Sequence, residues 1–134
     1  MDLTTKEKLE IYIEAEMKDA ALYKELAKIA PNGNFYHLLI EFSNDEQAHA
    51  DEFKRIYRRL TGKNYNPVIT PPILEGSFDD ILRDRVIDES GDYRKYAQQY
   101  IQTERDDQLK KAYYRAKTDE NVHALRLLYM LSYT

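Results

Sequence analysis

A chain of 134 residues, 33% of them charged with both signs mixed and a net charge of −4, is long enough for one core and has no overall pull towards nucleic acid or anionic lipid. No apolar run approaches a membrane span, and the charged start "MDLTTKEKLE" carries no apolar signal region, so a cytoplasmic protein is expected. There is no cysteine, which excludes disulfides, thiolate catalysis, iron–sulfur clusters and cysteine zinc sites, and glycine and proline number only four each, which favours helices.

The first element is a helix over about residues 5–30. Leu9, Ile13, Glu16, Ala20, Tyr23 and Ala27 recur at three- and four-residue steps, the stripe of an amphipathic helix. "PNGN" at 31–34 breaks it. The second helix, about 35–60, keeps a three-four seam through Leu39, Phe42, Glu46, His49, Phe53, Ile56 and Leu60. "TGKNYNPVITPPILEG" follows as a linker holding three of the four prolines. Ser77 is a candidate N-cap for a third helix over about 77–102, with Asp79 and Asp80 in its first turn. Phe78, Leu82, Val86, Glu89, Tyr93, Tyr96 and Tyr100 share one side of it. "TERDD" turns the chain into a fourth helix, about 108–132, with Leu109, Tyr113, Ala116, Glu120, His123, Leu127 and Met130 in phase.

Short turns make antiparallel pairs of helices 1–2 and 3–4. Sixteen linker residues reach roughly 50 Å when extended, and a helix of this length is about 39 Å long. The linker can therefore run back along the bundle and start helix 3 parallel to helix 2. The expected architecture is all-α: one domain over residues 1–134, a four-helix bundle with a single long crossover.

Six ionisable residues occupy the apolar seams: Glu16, Glu46, His49, Glu89, Glu120 and His123. A buried lone carboxylate is costly, so four of them need partners. Glu16 and His49 stand equally far from the first turn, and Glu89 and Glu120 equally far from the second. Each hairpin thus sets one Glu beside a Glu-x-x-His, whose members lie on one helix face. Packing the hairpins together gathers four carboxylates and two imidazoles in one layer. Two divalent cations would balance the four negative charges. Carboxylate and imidazole suit iron, manganese or zinc. Two Glu can bridge the metals, with one Glu and one His at each end.

The stretches "EAEMKDAALYKELA", "DEQAH", "DESGDY" and "DENVH" resemble the ferritin-like superfamily of dinuclear metal carboxylate proteins, and within it the rubrerythrin type. The resemblance spans nearly the whole chain. It implies Glu46 and Glu120 as bridging ligands and Glu16, His49, Glu89 and His123 as terminal ones, with histidine assignment open to crossing between hairpins. Tyr23 and Tyr96, each seven residues after its terminal Glu, are candidates to bond those carboxylates or to pack at the bundle edge. Asp45 and Asp119 lie off the seam and are expected to support the opposite histidines. Rubrerythrins carry an extra glutamate where this chain has Asp92, one methylene shorter, which puts peroxidase chemistry of that type in question.

The function this implies is a diiron or dimanganese oxidoreductase that reduces hydrogen peroxide or dioxygen, or oxidises ferrous iron. Its electrons come from an external donor, because no cysteine is present for a rubredoxin-type module. A homodimer is the family-level expectation. The alternative is a metal-binding protein that stores, buffers or senses iron. The basic run "KRIYRRLTGK" falls at a helix C-terminus, where cations suit the dipole, so neither a nucleic-acid nor a membrane partner is expected. His37 falls off the seam and is expected at the surface.

Overall fold

The computed structural model describes residues 3–133. Among them are four helices and no strand: α1 (Thr5–Lys28), α2 (Gly33–Thr61), α3 (Phe78–Gln102) and α4 (Asp107–Leu131). None is long and apolar enough to cross a membrane.

Every helix begins on a side-chain cap. Thr4 and Glu7 form a reciprocal capping box on α1, and Asn32, Ser77 and Asp106 accept from backbone N–H groups in the first turns of α2, α3 and α4. Asn32 explains a difference from the sequence reading. "PNGN" does stop α1, but its Asn starts α2, so Gly33 and Asn34 are already helical. Gly62 ends α2 at φ 73°, a left-handed turn that glycine adopts without strain. Leu60, placed on the seam by periodicity, is exposed at this last turn, and Tyr93 is also exposed.

Cross-helix contacts give the directions. Glu10 pairs with Tyr57, Glu16 with His49, and the Ser43 hydroxyl donates to the Ala20 carbonyl, so α1 and α2 are antiparallel. Along α2 and α4 the ion pairs run Glu41–Arg126, Asp45–His123, His49–Asp119, Glu52–Arg115 and Arg59–Asp106, again antiparallel. Lys8 meets Gln99 at one end of α1 and α3, and Tyr23 meets Arg85 at the other. Helices α2 and α3 therefore point the same way, joined by the irregular segment 62–77.

The core is divided in two. One apolar cluster contains Leu9, Ile13, Phe53, Ile56, Tyr96 and Tyr113, and the other Leu26, Leu39, Phe42, Leu82, Leu127 and Met130. Each large side chain contributes about 1.5–3 kcal/mol by leaving water. Every helix passes from one cluster to the other, and the stretch between carries the polar residues. The apolar plugs thus fix the height of Glu16, Glu46, His49, Glu89, Glu120 and His123, all of them buried.

Candidate metal centre

These six side chains form two sets. Glu16, Glu46, His49 and Glu120 offer ligand atoms all within 4.8 Å of one another, and so do Glu46, Glu89, Glu120 and His123. Glu46 and Glu120 belong to both. Each terminal Glu sits with the histidine of its own hairpin.

The histidines are oriented alike. His49 turns Nδ1 inward, 3.4 Å from Glu16 and 3.4 Å from Glu46, and Nε2 outward to Asp119 at 2.6 Å. His123 turns Nδ1 to Glu89 at 3.0 Å and Glu120 at 3.4 Å, and Nε2 to Asp45 at 2.8 Å. An aspartate from the opposite hairpin accepts from each Nε2–H and leaves Nδ1 for the interior, which fixes ring and tautomer for a metal ligand.

Charge accounts for the proton affinities. Burial raises Glu46 well above the usual carboxylate range, and the charges of Glu16, Glu120 and Glu89 push it further. Burial and the Glu16 charge lift Glu120 to about 8. Burial alone would lower the histidines, but surrounding carboxylates outweigh it, raising His49 to about 10 and His123 to about 11. Without a metal, protons hold the layer near neutrality.

Whether the residues fit a metal is decided by the unpartnered atoms. Among the described residues, the buried side-chain polar atoms lacking any hydrogen-bond partner are Glu16 Oε2, both oxygens of Glu46, His49 Nδ1 and both oxygens of Glu120. An unsatisfied buried polar atom costs about 1–3 kcal/mol. All six belong to one ligand set and face a shared interior, and their oxygen and imidazole donors suit a divalent cation. The buried Glu/His groups can hold metal.

Supporting residues divide unevenly. The Tyr96 hydroxyl donates to Glu16 at 2.8 Å, as one option for this residue had it. Among the described residues Tyr23 bonds no carboxylate: its hydroxyl accepts from Arg85 Nε at 3.1 Å. Arg85, which the sequence reading missed, is buried and also reaches Glu89 at 2.7 Å, Asp19 at 3.2 Å and Asp88 at 3.2 Å. Its signal was faint: a cation one helical turn before a seam glutamate. Asp92 is half-buried, 3.2 Å from Lys95, and joins Asp19, Glu89 and Glu120 in a further cluster of potential ligand atoms. Burial raises Asp92, and lifts Asp19 to about 7. An open cleft between α1 and α3, with Asp19, Asp92, Arg85 and Asp88 in its lining, brings solvent to this side. Gly91 lies on it with nothing packed over its Cα.

No protein-family model matches the chain, and no curated protein matches it. Among solved structures, a hypothetical protein from Pyrococcus furiosus is similar, with a TM-score of 0.82 at 17% identity over 98% of this chain and 90% of that one. At such identity the likeness speaks for the fold alone.

Proposed function

We propose that the protein is a dinuclear metal oxidoreductase of ferritin-like, rubrerythrin-type architecture, with α2 and α3 joined by the long crossover of that fold. The observation that carries this reading is the pair of ligand sets sharing Glu46 and Glu120, with six orphaned atoms directed into them. Glu16 with His49 would hold one ion, Glu89 with His123 the other, and the two shared carboxylates both. Iron, or manganese in its place, would supply the electrons that reduce hydrogen peroxide or dioxygen and the positive charge that stabilises the reduced oxygens.

The remaining roles fall to the chain. The apolar plugs above and below exclude bulk water from the layer. Asp45 and Asp119 hold the histidine rings in register. Tyr96 orients Glu16 through its hydroxyl. Asp19 and Asp92 line the cleft and cluster with Glu89 and Glu120, so this side is where small oxidants would approach the layer. Electrons would come from an external donor, because this chain has no cysteine for a cysteine-ligated electron-transfer centre beside the Glu/His site.

Two measurements test this. Metal analysis of protein purified from its own host should give close to two ions per chain, with iron or manganese prevailing. Peroxide should then be consumed when a reductant is supplied. Absence of bound metal would overturn the reading. Stoichiometric metal without turnover, in a large hollow assembly, would move the function to storage.

A further inference from the structure

The two ligand sets are not equally free. In the first, Glu16 Oε2 and His49 Nδ1 have no hydrogen-bond partner. In the second, both oxygens of Glu89 are taken, Oε1 by Arg85 Nη2 at 2.7 Å and Oε2 by His123 Nδ1 at 3.0 Å. We propose that Arg85 makes the two metal positions unequal: the Glu16–His49 position fills first and tightly, the Glu89–His123 position second and weakly. This rests on the two-metal reading above.

The physical reason is competition for one carboxylate. A guanidinium keeps its charge at every accessible pH and forks onto carboxylates. A divalent ion entering beside Glu89 must take Oε1 from it, or share the carboxylate with a cation that repels it in a low-dielectric interior. Displacement is not prohibitive, because Asp19 and Asp88 already lie within 3.2 Å of the guanidinium and Tyr23 holds its Nε. Arg85 can slide onto these acceptors in the α1–α3 cleft, which it lines. Among the described residues, no guanidinium bonds Glu16. One turn before Glu16 stands Tyr12, packed edge-on against Tyr96 at 5.3 Å. The nearby cation, Lys95, bonds Asp92. Glu16 receives its hydrogen bond from the neutral Tyr96 hydroxyl.

The test is a titration of the metal-stripped full chain with cobalt(II), followed by visible absorption, in wild type and Arg85→Gln. Wild type should show two steps whose dissociation constants differ by about 10-fold or more. Arg85→Gln should tighten the second step by about 10-fold and leave the first unchanged. Wild-type crystals given one equivalent of cobalt should show the main anomalous peak between Glu16 and His49, a result that does not depend on the variant folding. Equal steps in wild type, a main peak at Glu89 and His123, or a second step weakened by Arg85→Gln would each overturn the proposal while leaving two metals in place. A wild type that binds no cobalt would overturn the two-metal reading itself.

Discussion

The Glu16–His49 and Glu89–His123 halves of the layer are built from the same parts. Each has a terminal glutamate, an inward Nδ1, an aspartate from the other hairpin on Nε2 and a tyrosine seven residues after the glutamate. They differ in what neutralises the terminal glutamate. Glu16 accepts from a neutral phenol, whereas Glu89 accepts from a buried guanidinium. Burial would raise Glu89, but the His123 hydrogen bond and the Arg85 charge hold it below the usual carboxylate value. A repeated motif thus gives two positions of one geometry, and a single residue outside the motif, Arg85 opposite Tyr12, gives them different electrostatics.

The severest way to break the comparison is to remove a residue that both halves share. Glu46→Ala takes a ligand from each set, so bound metal should fall from two ions per chain to near zero. Metal should raise the melting temperature of wild type, since saturation at a thousandfold excess over the dissociation constant is worth about 4 kcal/mol, but not that of the variant. Retention of one tight ion by Glu46→Ala would show that the halves are independent.

Next in size is the effect of pH. His49 near 10, His123 near 11 and Glu120 near 8 hold a proton at pH 7, and burial with the neighbouring carboxylates shifts Glu46 in the same direction. Loading both positions must expel these protons, so affinity should rise with pH, by up to about 100-fold per unit for an ion that displaces two protons. Calorimetry in buffers of different ionisation enthalpy would count those protons. Arg85 does not titrate, so the tightening of the second step by Arg85→Gln should be the same at every pH; a difference that vanishes as pH rises would assign the asymmetry to protons instead. The metal-free protein should behave oppositely. Groups whose folded pKa is raised stabilise fully below the unfolded value and lose that contribution as pH climbs through the folded value. The histidine contribution therefore fades between about 6.5 and 10–11, and that of Glu120 between 4.5 and about 8. Stability should fall from pH 7 to 9 by at least about 1 kcal/mol per unit, read as a declining melting temperature.

A smaller change separates the halves. Asp119 supports His49 and Asp45 supports His123. Replacing either by Asn should weaken its own position by about 10- to 100-fold. In cobalt titrations Asp119→Asn should act on the first step and Asp45→Asn on the second. Both variants acting on one step would mean that the aspartates are not matched to separate positions.

Much of this arrangement was legible in the sequence. The three-four seams placed all six candidate ligands in the core, because burial and helical phase are properties of one strand of sequence at a time. Equal distance from the turns set them at one height, and the off-seam position of Asp45 and Asp119 sent them to the opposite histidines. Arg85 was not legible for a converse reason. It sits in "DDILRDRVIDES", where alternating charge reads as a solvated face. Only the packing of α1 on α3 buries its guanidinium among Asp19, Tyr23 and Glu89. That contact also redirects Tyr23, whose repeat position pointed equally to a carboxylate or to simple packing. Seam logic erred at Leu60 and Tyr93, since the phase of a stripe does not say where a neighbouring helix ceases to cover it.

The gentlest contrast lies in the two tyrosines. Tyr96→Phe removes the hydroxyl that donates to Glu16, and the other oxygen of that glutamate already lacks a partner. A hydrogen bond to a charged group contributes about 1.5–3 kcal/mol, so the metal-free variant should lose stability of that order. Tyr23→Phe removes only an acceptor of Arg85, which keeps Asp19, Asp88 and Glu89 around it. Arg85 lines the open cleft, where solvent can replace the Tyr23 hydroxyl on its Nε, so this loss should be the smaller of the two. Denaturant unfolding of the two variants beside wild type reads the difference directly. Equal losses would mean that Arg85 depends on Tyr23 as Glu16 depends on Tyr96, and the guanidinium would then be a fixed strut of the second half, with no freedom to move aside for a metal.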